Sequence, residues 1–151
     1  MIIAEPPSRE RAEPHAAPKP PFVRTTTLLA SFGYAFAGLY YLLRTQRNAQ
    51  IHCAIGLLAL ALGLFFGISR LEWIALVLTC ALVLAAEGAN TAIEAVVDLA
   101  SPEIHPLART AKDVAAGTVL LAAIASVIVG LLIFLPYLLD LLGFLLHTLR
   151  V

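Results

Sequence analysis

The chain has 151 residues, of which 60% are hydrophobic and 13% charged, with ten basic and ten acidic side chains and no net charge. A mean hydropathy of +0.89 excludes an ordinary soluble domain and indicates a membrane protein. The balanced charge leaves no electrostatic footprint for nucleic acid.

Residues 1–21, MIIAEPPSRERAEPHAAPKPP, are rich in Pro and charge and lack an apolar core, so they read as a disordered tail and not as a secretory signal. From Arg24 to Arg47 the chain reads as an amphipathic helix along the membrane surface, with Phe32, Tyr34, Phe36, Leu39, Tyr40 and Leu43 among polar residues. Three segments then reach the roughly 20 apolar residues that a bilayer crossing requires, at about 49–68, 71–99 and 114–135. Pro136 follows the third. The YLLDLLGFLLHTLR stretch beyond it is too short to cross again, so it is either a helical extension or an interfacial piece. The division is therefore a tail at 1–21, a membrane domain at 22–140 and a C-terminal extension at 141–151. Cys53 and Cys80 lie in apolar runs without metal-ligand spacing and read as small buried hydrophobes.

Arg9, Arg11, Lys19, Arg24, Arg44 and Arg47 precede the first segment, and Arg109 and Lys112 lie between the second and third, against Arg70 and Arg150 on the other side. The positive-inside rule puts the N-terminus and the second-to-third loop of a multi-pass membrane protein in the cytoplasm and the C-terminus outside.

Within the second segment Glu87, Asn90, Glu94 and Asp98 recur at steps of three, four and four, which on a helix places them in one stripe. A carboxylate in hydrocarbon costs roughly 2.5–3.5 kcal/mol even on the mildest insertion scale, so such residues mark a working site. Counted from Trp73 at the outer surface, Glu87 lies about 21 Å across a core of about 30 Å, Glu94 nears the cytoplasmic boundary, and Asp98 reaches water. The flanking Ala85, Ala86, Gly88, Ala89, Ala92 and Ala95 let neighbouring helices approach closely, so a polar seam gluing helices is the alternative reading.

The loop ASPEIHPLARTAKDVAAG adds Glu103, His105, Arg109, Lys112 and Asp113. Thr110 and Asp113 read equally as an N-cap and its capping-box acid for a third helix beginning there. Lys112, in the first turn of that helix, sits against the unfavourable end of the macrodipole and wants a carboxylate or phosphate nearby, unless it only snorkels to the interface. Together the stripe and loop supply carboxylates for a divalent metal, a lysine for phosphate and an acid or base at the lipid boundary. Phosphoryl transfer to a lipid alcohol needs that set. The chain has neither a G-x-x-x-x-G-K-[ST] loop nor a kinase-type G-x-G-x-x-G.

AAEGANTAIEAVVDL followed by SPEIHPLARTAKDVAAGTVLLAA, with SFGYAFAGL and RNAQIH upstream, resembles the signature of the small prokaryotic integral-membrane diacylglycerol kinase and undecaprenol kinase family over about residues 27–135. The resemblance implies an all-α homotrimer, each subunit an amphipathic surface helix plus three transmembrane helices, with sites between subunits and MgATP as the donor. It further implies Glu87 as catalytic base, Asn90 as its support and Glu94 as a Mg²⁺ ligand. Lys112 would hold the ATP phosphates, Asp113 would assist nucleotide binding, and Glu103 and His105 would meet the adenosine portion. Asp98 fits the motif. Two positions depart from the family pattern. Gln46 stands where a glutamate often supplies a second metal ligand, and an amide brings no charge to Mg²⁺. Thr27 stands where a basic residue is sometimes found, with Arg24 one turn earlier. RNAQIH and SRLEW resemble the undecaprenol kinase branch. A proton or ion pathway lined by Glu87, Asn90 and Glu94 is the competing function, though it leaves the loop charges without a role.

Overall fold

The computed structural model describes residues 27–101, 103 and 105–149. The tail at 1–21, Arg24 and Arg150 lie outside them. Among the described residues the chain is helical, with α1 at Leu28–Thr45, α2 at Arg47–Phe66, α3 at Arg70–Ala100 and α4 at Pro106–Thr148. The last three are long and apolar enough to span a membrane. Within one chain only 11%, 17% and 11% of the most apolar stretches of α2, α3 and α4 are buried. That much apolar surface needs lipid or other subunits to cover it.

Thr27 opens α1 as its N-cap, its hydroxyl oxygen accepting from the Ala30 N–H at 3.4 Å. Leu42 is the buried anchor of α1, while Phe32, Tyr34, Phe36 and Tyr40 stay exposed. A Cβ at Gly88 would sit 3.7 Å from Leu42 Cδ2, so the missing side chain at Gly88 lets α1 rest across α3 beside Glu87. Gln46 breaks the helix with an extended backbone (φ −99°, ψ 110°), and Gln50 fastens the corner by donating to the Leu43 carbonyl at 3.0 Å.

At the opposite end of α2 the chain reverses through Gly67, whose φ of 63° is a left-handed helix cap. Ser69 then starts α3 with a capping box: the Glu72 N–H donates to Ser69 Oγ at 3.4 Å and the Ser69 N–H to Glu72 Oε2 at 2.7 Å. Tyr137 of α4 donates its hydroxyl to the same carboxylate at 2.9 Å, tying α4 to the start of α3. Below this corner Ile68, Leu76, Ile133 and Phe134 form the core, and Gly63 leaves room for the Trp73 ring, 3.0 Å from where its Cβ would be. α2 and α3 therefore pack closely, and α3 packs most extensively on α4.

The structure corrects the start of the last helix. α4 begins at Pro106, not after Thr110, with His105 as N-cap and its Nδ1 accepting from the Leu107 N–H at 3.2 Å. Proline at the first helical position loses no needed N–H and has the right φ already. Thr110 and Asp113 consequently lie inside the helix, and Thr110 bonds back to the Pro106 carbonyl at 3.1 Å. At its far end α4 runs through Pro136 to Thr148, so the stretch after the proline is a helical extension. Forty-three residues make a helix of about 64 Å, twice a bilayer core.

Candidate active site

The stripe on α3 is graded from the bundle interior to solvent. Glu87 is 2% exposed, Asn90 and Glu94 are half-buried, and Asp98 is exposed. One helix thus carries polar groups from a dry setting to a wet one, in the order the spacing implied.

Glu87 sits where α2, α3 and α4 meet. Together with Asn48 and His52 of α2, Asn90 of α3, and Ala116, Val119, Leu120 and Ala123 of α4, it lines a cavity of about 330 Å³. The small residues of α4 leave this space. His52 Nε2 lies 3.3 Å from Glu87 Oε1, within hydrogen-bond distance but off the line of its N–H, so that oxygen has no aligned donor among the described residues. Asn90 Nδ2 donates to Glu94 Oε1 at 2.9 Å, while Asn90 Oδ1 is likewise buried and unpartnered. Two buried acceptors without donors are unusual in a structural seam and expected in a site that awaits a ligand hydroxyl or cation.

A second cavity of about 360 Å³ opens at the polar end of α3 and α4, lined by Asp98, Ser101, Glu103, His105, Arg109, Lys112 and Asp113 among others. Four residues expected at the nucleotide, namely Glu103, His105, Lys112 and Asp113, therefore share one pocket. Lys112 is in the second turn of α4, not the first, and its ammonium is hydrogen-bonded to Asp98. The anion that its charge demands is thus a protein carboxylate of the stripe. Arg109 and Asp113, one turn apart and both exposed, form a looser pair at 3.7 Å.

Glu94 lines neither cavity but stands on the stripe between them. Gln46 stays at the α1–α2 corner, bonding Thr45 Oγ1 at 3.4 Å. Among the described residues no three His, Cys, Asp or Glu side chains cluster to hold a metal. Any cation here would need oxygens from a ligand as well as from Glu94. Asn48 and His52 enter the site without having been singled out from the sequence; their spacing of four at the polar end of α2 was the available signal.

A membrane-spanning bundle with a carboxylate buried among its helices and a lysine-bearing pocket at the end of the same stripe defines an enzyme that joins a lipid-phase reactant to a water-soluble one. The chain belongs to the prokaryotic diacylglycerol kinase family, whose pattern it matches over residues 33–134, and it is a lipid kinase. It is 48% identical over 115 residues to a diacylglycerol kinase of Synechocystis sp., covering 76% of this chain and 66% of that protein. It is also 44% identical over 106 residues to the undecaprenol kinase of Bacillus subtilis, covering 70% of this chain and 86% of that one. The diacylglycerol kinase of Escherichia coli K12 is 31% identical over 103 residues, with 68% and 84% covered. The ion-pathway alternative finds no support in these similarities.

Proposed function

We propose that the chain transfers the γ-phosphoryl group of ATP to the primary hydroxyl of a membrane lipid alcohol, diacylglycerol or undecaprenol, with Glu87 as general base. The carrying observation is the burial of Glu87, at 2% exposure, with no aligned donor on its carboxylate among the described residues. With Oε1 facing His52, the second carboxylate oxygen is free to accept the acceptor's proton. In the reaction the hydroxyl proton passes to Glu87 and the hydroxyl oxygen bonds to the γ-phosphorus. The bond from that phosphorus to the β–γ bridging oxygen breaks, and ADP leaves with the electron pair.

Lys112 holds the ATP phosphates in the polar pocket, exchanging Asp98 for the ligand's charge. Asp113 assists there, and Glu103 and His105 border the adenosine portion. Mg²⁺ is usually held by one or two carboxylates plus substrate phosphates, so Glu94 would hold it, with Gln46 as a neutral second ligand. Bound there, Mg²⁺ neutralises charge on the transferring phosphate. Asn90, by donating to Glu94, fixes that carboxylate's direction.

The helix register argues for a shared site. Eleven residues separate Glu87 from Asp98, the partner of Lys112, which is about 16 Å along α3. A γ-phosphate held by the lysine and attacked by a hydroxyl bound to the base is reached more directly if the two residues come from different subunits of a homotrimer. The chain's place is the inner membrane, N-terminus in the cytoplasm, with α1 along the surface. The test is side-by-side phosphorylation of diacylglycerol and undecaprenol by purified protein in mixed micelles. Labelled product from one or both supports the reading, and none from either defeats it.

A further inference from the structure

We propose that His52 is a positioning residue for the proposed base: its Nε2 holds Glu87 Oε1, turning the other carboxylate oxygen toward the acceptor hydroxyl. This rests on the assignment of Glu87 as base. Three observations carry it. Nε2 lies 3.3 Å from Oε1, an oxygen with no other donor within reach among the described residues. Among the described residues Glu87 makes no side-chain hydrogen bond that would fix its rotation, while its backbone carbonyl accepts from Thr91 Oγ1 at 3.0 Å. His52 also lines two spaces at once, the polar cavity around Glu87 and an apolar groove of about 230 Å³ that continues past Gly56, Cys80, Val83 and Phe134. Its ring therefore stands at the boundary where the polar head of a lipid gives way to its chain.

A carboxylate free to rotate offers its proton-accepting oxygen in many directions, and a misplacement of about 1 Å costs on the order of 10²-fold in rate. A ring N–H on one oxygen removes that freedom. The off-line geometry is the loose form expected before substrate arrives, since such contacts tighten in the reacting complex. With the proton on Nε2, His52 remains a donor throughout, and the acceptor's proton goes to Glu87 alone. Neither Asn48 nor Asn90 does this work: Asn90 donates to Glu94, and Asn48 lines the cavity without a hydrogen bond to Glu87.

The test uses two amides that differ only in where they place nitrogen. In His52→Gln the amide nitrogen reaches the level of Nε2, whereas in His52→Asn it stops near the level of Nδ1. Lipid phosphorylation by the assembled protein in mixed micelles should keep turnover within about 3-fold for His52→Gln and lose about 10²-fold for His52→Asn, with the MgATP KM unchanged in both. Equal turnover in the two variants, or a loss expressed in the MgATP KM, overturns the proposal. A double-variant comparison separates this outcome from failure of the base assignment. If Glu87→Gln keeps normal turnover, the base reading fails. If Glu87→Gln is inactive and His52→Asn runs at the normal rate, only the role of His52 fails. Action through Glu87 predicts that adding His52→Asn to Glu87→Gln lowers the residual rate no further, and a full additional loss contradicts it.

Discussion

The Lys112–Asp98 pair makes opposite predictions for its two members. Its side chains are 36% and 65% exposed, so as a structural link it contributes at most about 1 kcal/mol. A hydrogen bond from the same ammonium to a phosphate contributes roughly 1.5–3 kcal/mol. Because binding ATP takes the lysine from Asp98, about 0.5–1 kcal/mol of that is given back, leaving roughly 1–2 kcal/mol for the nucleotide. Lys112→Met, which keeps the apolar stem, should therefore raise the MgATP KM about 5- to 30-fold. Asp98→Asn frees the lysine and should lower the same KM by up to about 5-fold. Neither change should cost the bundle more than the loss of one exposed pair. The assay is an MgATP titration at saturating lipid, with thermal unfolding of each variant alongside. A KM that moves less than 2-fold in Lys112→Met, in a protein that has lost several kcal/mol of stability, would refute the phosphate role and leave the lysine as a strut.

Other residues give further expectations. Glu94→Gln should raise the Mg²⁺ requirement without altering lipid affinity, and identical Mg²⁺ titrations would remove Glu94 from the metal. Gln46→Glu should tighten Mg²⁺ if its side chain reaches the metal from the α1–α2 corner, and an unaltered titration would take it out of the ligand set. When inactive Glu87→Gln subunits are reassembled with inactive Lys112→Ala subunits, activity should return, because some sites then draw an intact base and an intact lysine from different chains. No recovery, with mixed assembly verified by differential tags, would place both residues in one chain and leave the kinase assignment standing.

The stripe was legible because helical periodicity is local: Glu87, Asn90, Glu94 and Asp98 fall on one face whatever the bundle does, and their order from buried to exposed follows from depth alone. The three spans were legible for the same reason. Where α4 begins was not, because two local signals compete. Thr110 and Asp113 mimic a capping box, while His105 with Pro106 makes a true start one turn and more earlier. Pro136 leaves a helical extension and an interfacial piece equally open, because in a membrane-spanning helix the carbonyl it frees is tolerated and the helix can continue, as it does here. Contacts between helices were out of reach. Asp98 and Lys112 are fourteen residues apart across a turn, and His52 meets Glu87 only once α2 and α3 pack through Gly56 against Cys80. The spacing of four between Asn48 and His52 marks a shared face of α2 but not which helix that face meets.

The central claim is that a carboxylate buried in the bundle takes the proton of a lipid hydroxyl, and Glu87→Gln tests it most directly. The amide keeps the shape of the side chain but cannot serve as the base. Transfer of labelled γ-phosphate from ATP to lipid should fall about 10²- to 10⁴-fold, with membrane insertion, assembly and MgATP binding retained. More than half of normal turnover in that variant would contradict the account.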